Sequence, residues 1–101
     1  MPEATILHLA LPADWNRALQ SGIYSCHSLN EEGFIHACLQ EQLSGVIQRH
    51  FSGLDWVWLL RIDPAGLDVR FEKSSAGIFP HIWQALPLSA VKSCTEFAFK
   101  K

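Results

Sequence analysis

The 101-residue chain has no basic surplus: 8 Lys and Arg stand against 10 Asp and Glu, a formal charge of -2. Neutralising a phosphate backbone takes a row of cations, so this balance argues against nucleic acid as a partner. A small basic pocket stays compatible with it, because net charge says nothing about local grouping. The three cysteines, Cys26, Cys38 and Cys94, are an odd number with no C-x-x-C pair. That favours reduced thiols in a cytoplasmic protein over a disulfide framework. The longest mostly apolar run, 56–60, is far too short to span a membrane. The opening Met-Pro-Glu-Ala-Thr lacks the charged and apolar regions of a signal peptide. The chain also lacks a Gly-rich phosphate loop, a nucleophile elbow, an H-E-x-x-H helix, internal repeats and low-complexity tracts.

What is present suits one globular domain over 1–101. Apolar residues make up 49% and charged residues 18%, enough for a sizeable core. Alternation over 4–9 predicts a strand with Ile6 and His8 on one face and Leu7 and Leu9 on the other. Pro12 and Asp14 then open a helix whose stripe holds Trp15, Ala18 and Leu19, and Gly22 caps it. Residues 23–30 read as an irregular connection. A strand over 33–38 puts Phe34, His36 and Cys38 on one face. A second helix over 41–51 carries Leu43, Val46, Ile47 and His50 on one side, with Gly53 ending it. The segment 56–62, apolar on both faces except at Arg61, predicts a central strand. A turn at 63–66, a strand over 69–73, a mobile loop over 73–79, a short strand over 80–84, a turn at Pro87 and a closing strand over 91–99 complete the reading. Helices early and strands late imply an α+β fold with two helices and a small, bent, largely antiparallel sheet.

Five histidines stand at positions 8, 27, 36, 50 and 81. His50 suits a helix end, where the dipole favours its charge, and His27 suits a solvated loop. His8, His36 and His81 each interrupt an apolar strand. Burying a polar ring without a partner costs about 1–3 kcal/mol, so these three need partners or line a cavity. They are either separate core histidines bonded to backbone carbonyls or members of one cleft. Arg70 and Glu72 share a face, with Arg61 on the preceding strand. They form either a cross-strand ion pair or an anion clamp in which Glu72 accepts from a hydroxyl or acts as a base. Cys26, His27, His36 and Cys38 carry zinc-type atoms, but their spacing matches no structural zinc pattern, so no metal is expected. A nucleophilic Cys38 beside His36 would need thiol and ring in contact, which same-face strand neighbours seldom achieve. Trp15, Trp56 and Trp58 suit the core. Trp83, on the face of His81, could stack on a base or a nicotinamide.

Ile6-Leu7-His8, Trp15, Gly33-Phe34-Ile35-His36-Ala37 and Phe79-Pro80-His81-Ile82-Trp83, followed by Leu86-Pro87-Leu88, resemble the bacterial family known as domain of unknown function 952. The likeness covers almost the whole chain, and the two histidine blocks in this order are its specific part. Tyr24, Ser28, Gln42, Asp63 and Glu72 also fall where that family's pattern has such residues. The chain departs from it at Cys38, where serine is usual, and at Trp83-Gln84-Ala85, where Tyr-Gly-Pro is usual.

The resemblance implies a fold similar to that of the ADP-ribosyltransferases, which hold NAD in a split, bent sheet. By position, His8 looks like their dinucleotide anchor, and Phe34 to His36 look like their aromatic strand. His81 falls where they carry a late catalytic residue, often glutamate. A histidine there does not stabilise a developing cation as a carboxylate does, though it can bind phosphate or move a proton. The implied site has His36, His81 and Glu72 as catalytic residues, with His8, Tyr24, Ser28, Phe34, Arg70 and Trp83 around a small ligand. NAD or a related nucleotide or phosphate ester is the expected ligand, with NAD a substrate rather than a bound cofactor. The alternative is a non-catalytic binding or accessory module that keeps the fold without the chemistry.

Overall fold

A computed structural model of the chain describes residues 5–51 and 53–98. The first strand, β1 (Ile6–Ala10), leads into helix α1 (Pro12–Ser21). Pro12 sits in the first helical turn, where its missing N–H costs nothing. Gly22 adopts φ 87°, and its N–H donates to the Ala18 carbonyl at 2.7 Å. The buried stripe of α1 is narrower than its spacing predicts. Trp15 and Ala18 are buried, whereas Leu19 is 59% exposed.

Residues 23–30 are not an irregular connection. They hold a two-residue strand, β2 (Ile23–Tyr24), and the start of a short helix, α2 (His27–Glu32). That makes three α-helices among the described residues where two are expected. The third, α3 (Leu43–His50), follows β3 (Ile35–His36) and a 3-10 turn at Gln40–Gln42. Phe51, rather than Gly53, is its C-terminal cap.

The strands that follow are β4 (Trp56–Ile62), β5 (Val69–Ser74), β6 (Gly77–Ile82), β7 (Leu86–Pro87) and β8 (Val91–Ala98). Residues 73–79 form no loop. Ser74 pairs with Gly77, so Ser75 and Ala76 alone make the turn of a tight hairpin, with Gly77 at φ 132°. Pro87 lies in a strand, and of the strand expected over 80–84 only 80–82 are strand, the end of β6, with Trp83 and Gln84 beyond it. Ala4, Phe99 and the side chain of His50 lie outside the described residues.

Among the described residues all pairings are antiparallel, in three small sheets ordered β1-β4-β8, β2-β7 and β3-β6-β5. The central place expected for 56–62 is where β4 lies. The first and third sheets meet at a single bridge. There Leu7 and Cys38 exchange two backbone hydrogen bonds of 2.8 Å.

The core lies on both faces of β1 and β4. Ile6, Ala10, Leu60 and Ile62 pack with Trp15, Tyr24, Ile35 and Ile82. Leu7, Leu9, Val57 and Leu59 pack with Leu43 and Phe79 on the opposite side. Strict alternation along β1 thus serves two apolar clusters at once. No helix of the described residues is long and apolar enough to cross a membrane.

Candidate functional site

Antiparallel register assembles the site. In the third sheet, His36 on β3 stands opposite His81 on β6, which stands opposite Arg70 on β5. Directly opposed residues share a face, so the three form a row across the sheet. The strand expected over 33–38 shortens to Ile35–His36, and Phe34 and Trp83, just beyond the ends of β3 and β6, bring their rings against that face. The far face buries Ile35 and Ile82 in the core.

The rings are in contact. Phe34 stacks on His81 with centroids 4.0 Å apart and planes 16° from parallel. His36 meets His81 edge to face at 5.4 Å, and Trp83 lies 4.9 Å from Phe34. Phe34 is aimed from its own backbone: Ser28 donates from its hydroxyl to the Phe34 carbonyl at 2.8 Å. Gly33, at φ 93°, ends α2 and leaves room for Trp83, whose ring would lie 3.1 Å from any Cβ there.

Glu72 reaches into this group from β5. Its Oε1 accepts from His81 Nδ1 at 2.8 Å and from Trp83 Nε1 at 2.9 Å. These two bonds, the His81 bond foremost, hold the Glu72 carboxyl below the ordinary carboxylate value. The bond to Nδ1 also fixes the tautomer of a neutral His81, leaving its Nε2 with a lone pair. Among the described residues Nε2 has no partner, and it is not one of the buried atoms left unbonded, so it meets solvent. His36 is exposed and pairs through Nε2 with Glu32 Oε1 at 3.1 Å. Two imidazoles thus lie side by side, each held from behind by a carboxylate.

Arg70 does not pair with Glu72 as a cross-strand partner. Its Nε and Nη2 donate to the two oxygens of Asp68, both at 3.1 Å, and its guanidinium lies 4.9 Å from the centroid of the Trp83 ring. Asp68 was not singled out by sequence. It sits at the strand entry, where only the final register shows that it meets the arginine.

His8 does not share the surface of the other two histidines. It is 7% exposed, and both ring nitrogens are bonded inside the fold. Nδ1 donates to the His36 carbonyl at 2.5 Å, and Nε2 accepts from the Tyr24 hydroxyl at 2.7 Å. Burial is the main cause that lowers its pKa from 6.5 to about 4, so the ring is neutral at pH 7. Burial likewise raises the Tyr24 hydroxyl pKa well above its usual value. The single cleft expected for His8, His36 and His81 therefore divides into an outer pair and an inner support. His8 bonds the site at the backbone of His36 with Tyr24 behind it, and Ser28 bonds it at the backbone of Phe34.

Cys38 turns away from His36 into the core, where burial pushes its pKa up to about 11. Among the described residues no three His, Cys, Asp or Glu side chains gather as metal ligands.

A family model described as protein of unknown function (DUF952) matches residues 9–94, a span that contains every residue of the outer face. No curated protein matches the chain. Among solved structures, the X-ray crystal structure of protein CC0527 from Caulobacter crescentus superposes with a TM-score of 0.86 at 26% identity, covering 96% of this chain and 89% of that one. The solution NMR structure of CC0527 gives a TM-score of 0.81 at 27% identity over 95% and 86% of the two chains. These neighbours support a small α+β fold of antiparallel sheets, and their names state no activity.

Proposed function

This chain belongs to the DUF952 family of proteins of unknown function, and on that premise we propose that the outer face of β3-β6-β5 binds a nucleotide-like or phosphate-ester ligand, with NAD and ADP-ribose as the class to test first. One observation carries the reading: three side chains able to hold positive charge, His36, His81 and Arg70, stand in register beside the rings of Phe34 and Trp83. Anion contacts from cations and stacking on aromatic rings are two of the interactions that a nucleotide offers. Asp68 holds the Arg70 fork. The pair is exposed, and such pairs are worth about 0–1 kcal/mol, so a phosphate displaces it readily.

Titration of NAD and ADP-ribose against tryptophan emission tests this, with Trp83→Phe to identify the reporting ring. The expected outcome is a saturable change lost in Trp83→Phe. Arg70→Ala should weaken binding about tenfold or more, as loss of a charged hydrogen bond does. Asp68→Asn should strengthen binding by freeing the guanidinium. Indifference of binding to both changes would end the reading. Nicotinamide release from NAD then separates a transferase-like enzyme from a binding module.

A further inference from the structure

We propose that His81 and His36 act as general base and general acid in hydrolysing a cyclic phosphodiester of a nucleotide. The inference rests on the nucleotide-site reading above and assigns that site a reaction.

The argument begins with which nitrogens are taken. The Nδ1–H of His81 is spent on Glu72, leaving Nε2 to accept a proton, and Glu72 then faces the imidazolium that forms. His36 is bound through the other nitrogen, Nε2 to Glu32, and among the described residues its Nδ1 has no partner. The rings are 5.4 Å apart, near enough to serve one reacting group. Their environments differ: His81 is buried beneath Phe34, and His36 is open to solvent. Two imidazoles in unlike settings suit two opposite proton transfers.

Hydrolysis of a cyclic diester needs both transfers. His81 takes a proton from water, the water oxygen bonds to phosphorus, one ring P–O bond breaks, and the leaving alkoxide takes the Nδ1 proton of a protonated His36. The product is a nucleoside monophosphate, and solvent returns the two histidines to their starting states. Arg70, next in the row, is the cation that meets charge on the phosphoryl oxygens. Transfer at a sugar carbon instead asks for a carboxylate facing that carbon. Here the Glu72 oxygen that reaches the site already accepts from two N–H groups. The charged groups around the two rings are Glu72 and Arg70 from β5 and Glu32 from α2, with Asp68, just before β5, on Arg70 and neutral His8 behind the β3 backbone.

The full chain is incubated with 2′,3′-cyclic AMP, product is read by chromatography, and ADP-ribose binding is followed in parallel by tryptophan emission. The expected result is adenosine monophosphate formed with a bell-shaped pH dependence. His36→Ala and His81→Asn should each lower kcat about 10²-fold, the usual worth of one positioned acid or base. Glu72→Gln, a positioning change, should lower kcat more than it alters KM and should move the acidic limb of the pH profile, the limb that the base His81 sets. If His81→Asn fails to fold, the exposed His36→Ala carries the test. Emission change without product overturns the acid–base assignment and leaves the ligand site standing. Absence of both overturns the two readings together. Turnover unaltered in His36→Ala overturns the pair.

Discussion

His8 shows what one residue demands of its surroundings. Its Nε2 is already an acceptor for the Tyr24 hydroxyl, so a proton added there removes that bond within an apolar cluster. With a folded pKa of about 4 against 6.5, the ring is neutral in both states above pH 6.5. Between those values only the unfolded chain takes the proton, so stability falls as pH falls through that window. The difference of about 2.5 units corresponds to about 3 kcal/mol at full development. Urea unfolding at pH 7 and pH 4.5 should therefore show the parent losing more stability than His8→Gln. Equal losses would remove His8 as the cause. That His8 needed a partner was legible from a polar ring inside an apolar strand. The partner was not, because Tyr24 lies sixteen positions away in a segment with no periodic signal.

Among the elements, α2 was the one that sequence pattern could not deliver. It spans His27–Glu32 and buries none of its residues, so no apolar stripe marks it. The β5–β6 hairpin was obscured in a different way: Ser-Ser-Ala-Gly reads as a flexible loop, yet two of its four residues belong to strands. By contrast α1, β1 and β4 carry strong periods or caps and were legible, as was the placing of His81 and Trp83 on one face. What no period could supply was the register that sets His36 against His81 and Arg70. Gly33 tests how α2 serves that row. A side chain at φ 93° costs about 1–2 kcal/mol, and here its Cβ also presses on Trp83. Gly22, at φ 87°, faces open space. Gly33→Ala should thus lower the melting midpoint more than Gly22→Ala and should alone shift tryptophan emission. Matching midpoints would mean that Trp83 yields without cost.

At the scale of the whole molecule, the antiparallel α+β plan follows from alternation that feeds two clusters from β1 and β4. The division into three sheets does not follow, since strand patterns do not state where a ladder stops. The stop between the first and third sheets lies at the Leu7–Cys38 bridge, and the His8 ring bonds the carbonyl two residues before Cys38, that of His36. One backbone rung joins the two ladders, with the His8–His36 bond and side chains of both apolar clusters crossing beside it, and this bears on breathing of the native state. Deuterium exchange should find the Leu7 and Cys38 amides opening together, ahead of Leu60 within the central strand, although all three residues are almost fully buried. Equal protection at the three would mean that the halves separate only when the entire chain does. Unequal protection would make the fold two plates joined at a stitch, with the His36–His81 pair carried wholly on one of them.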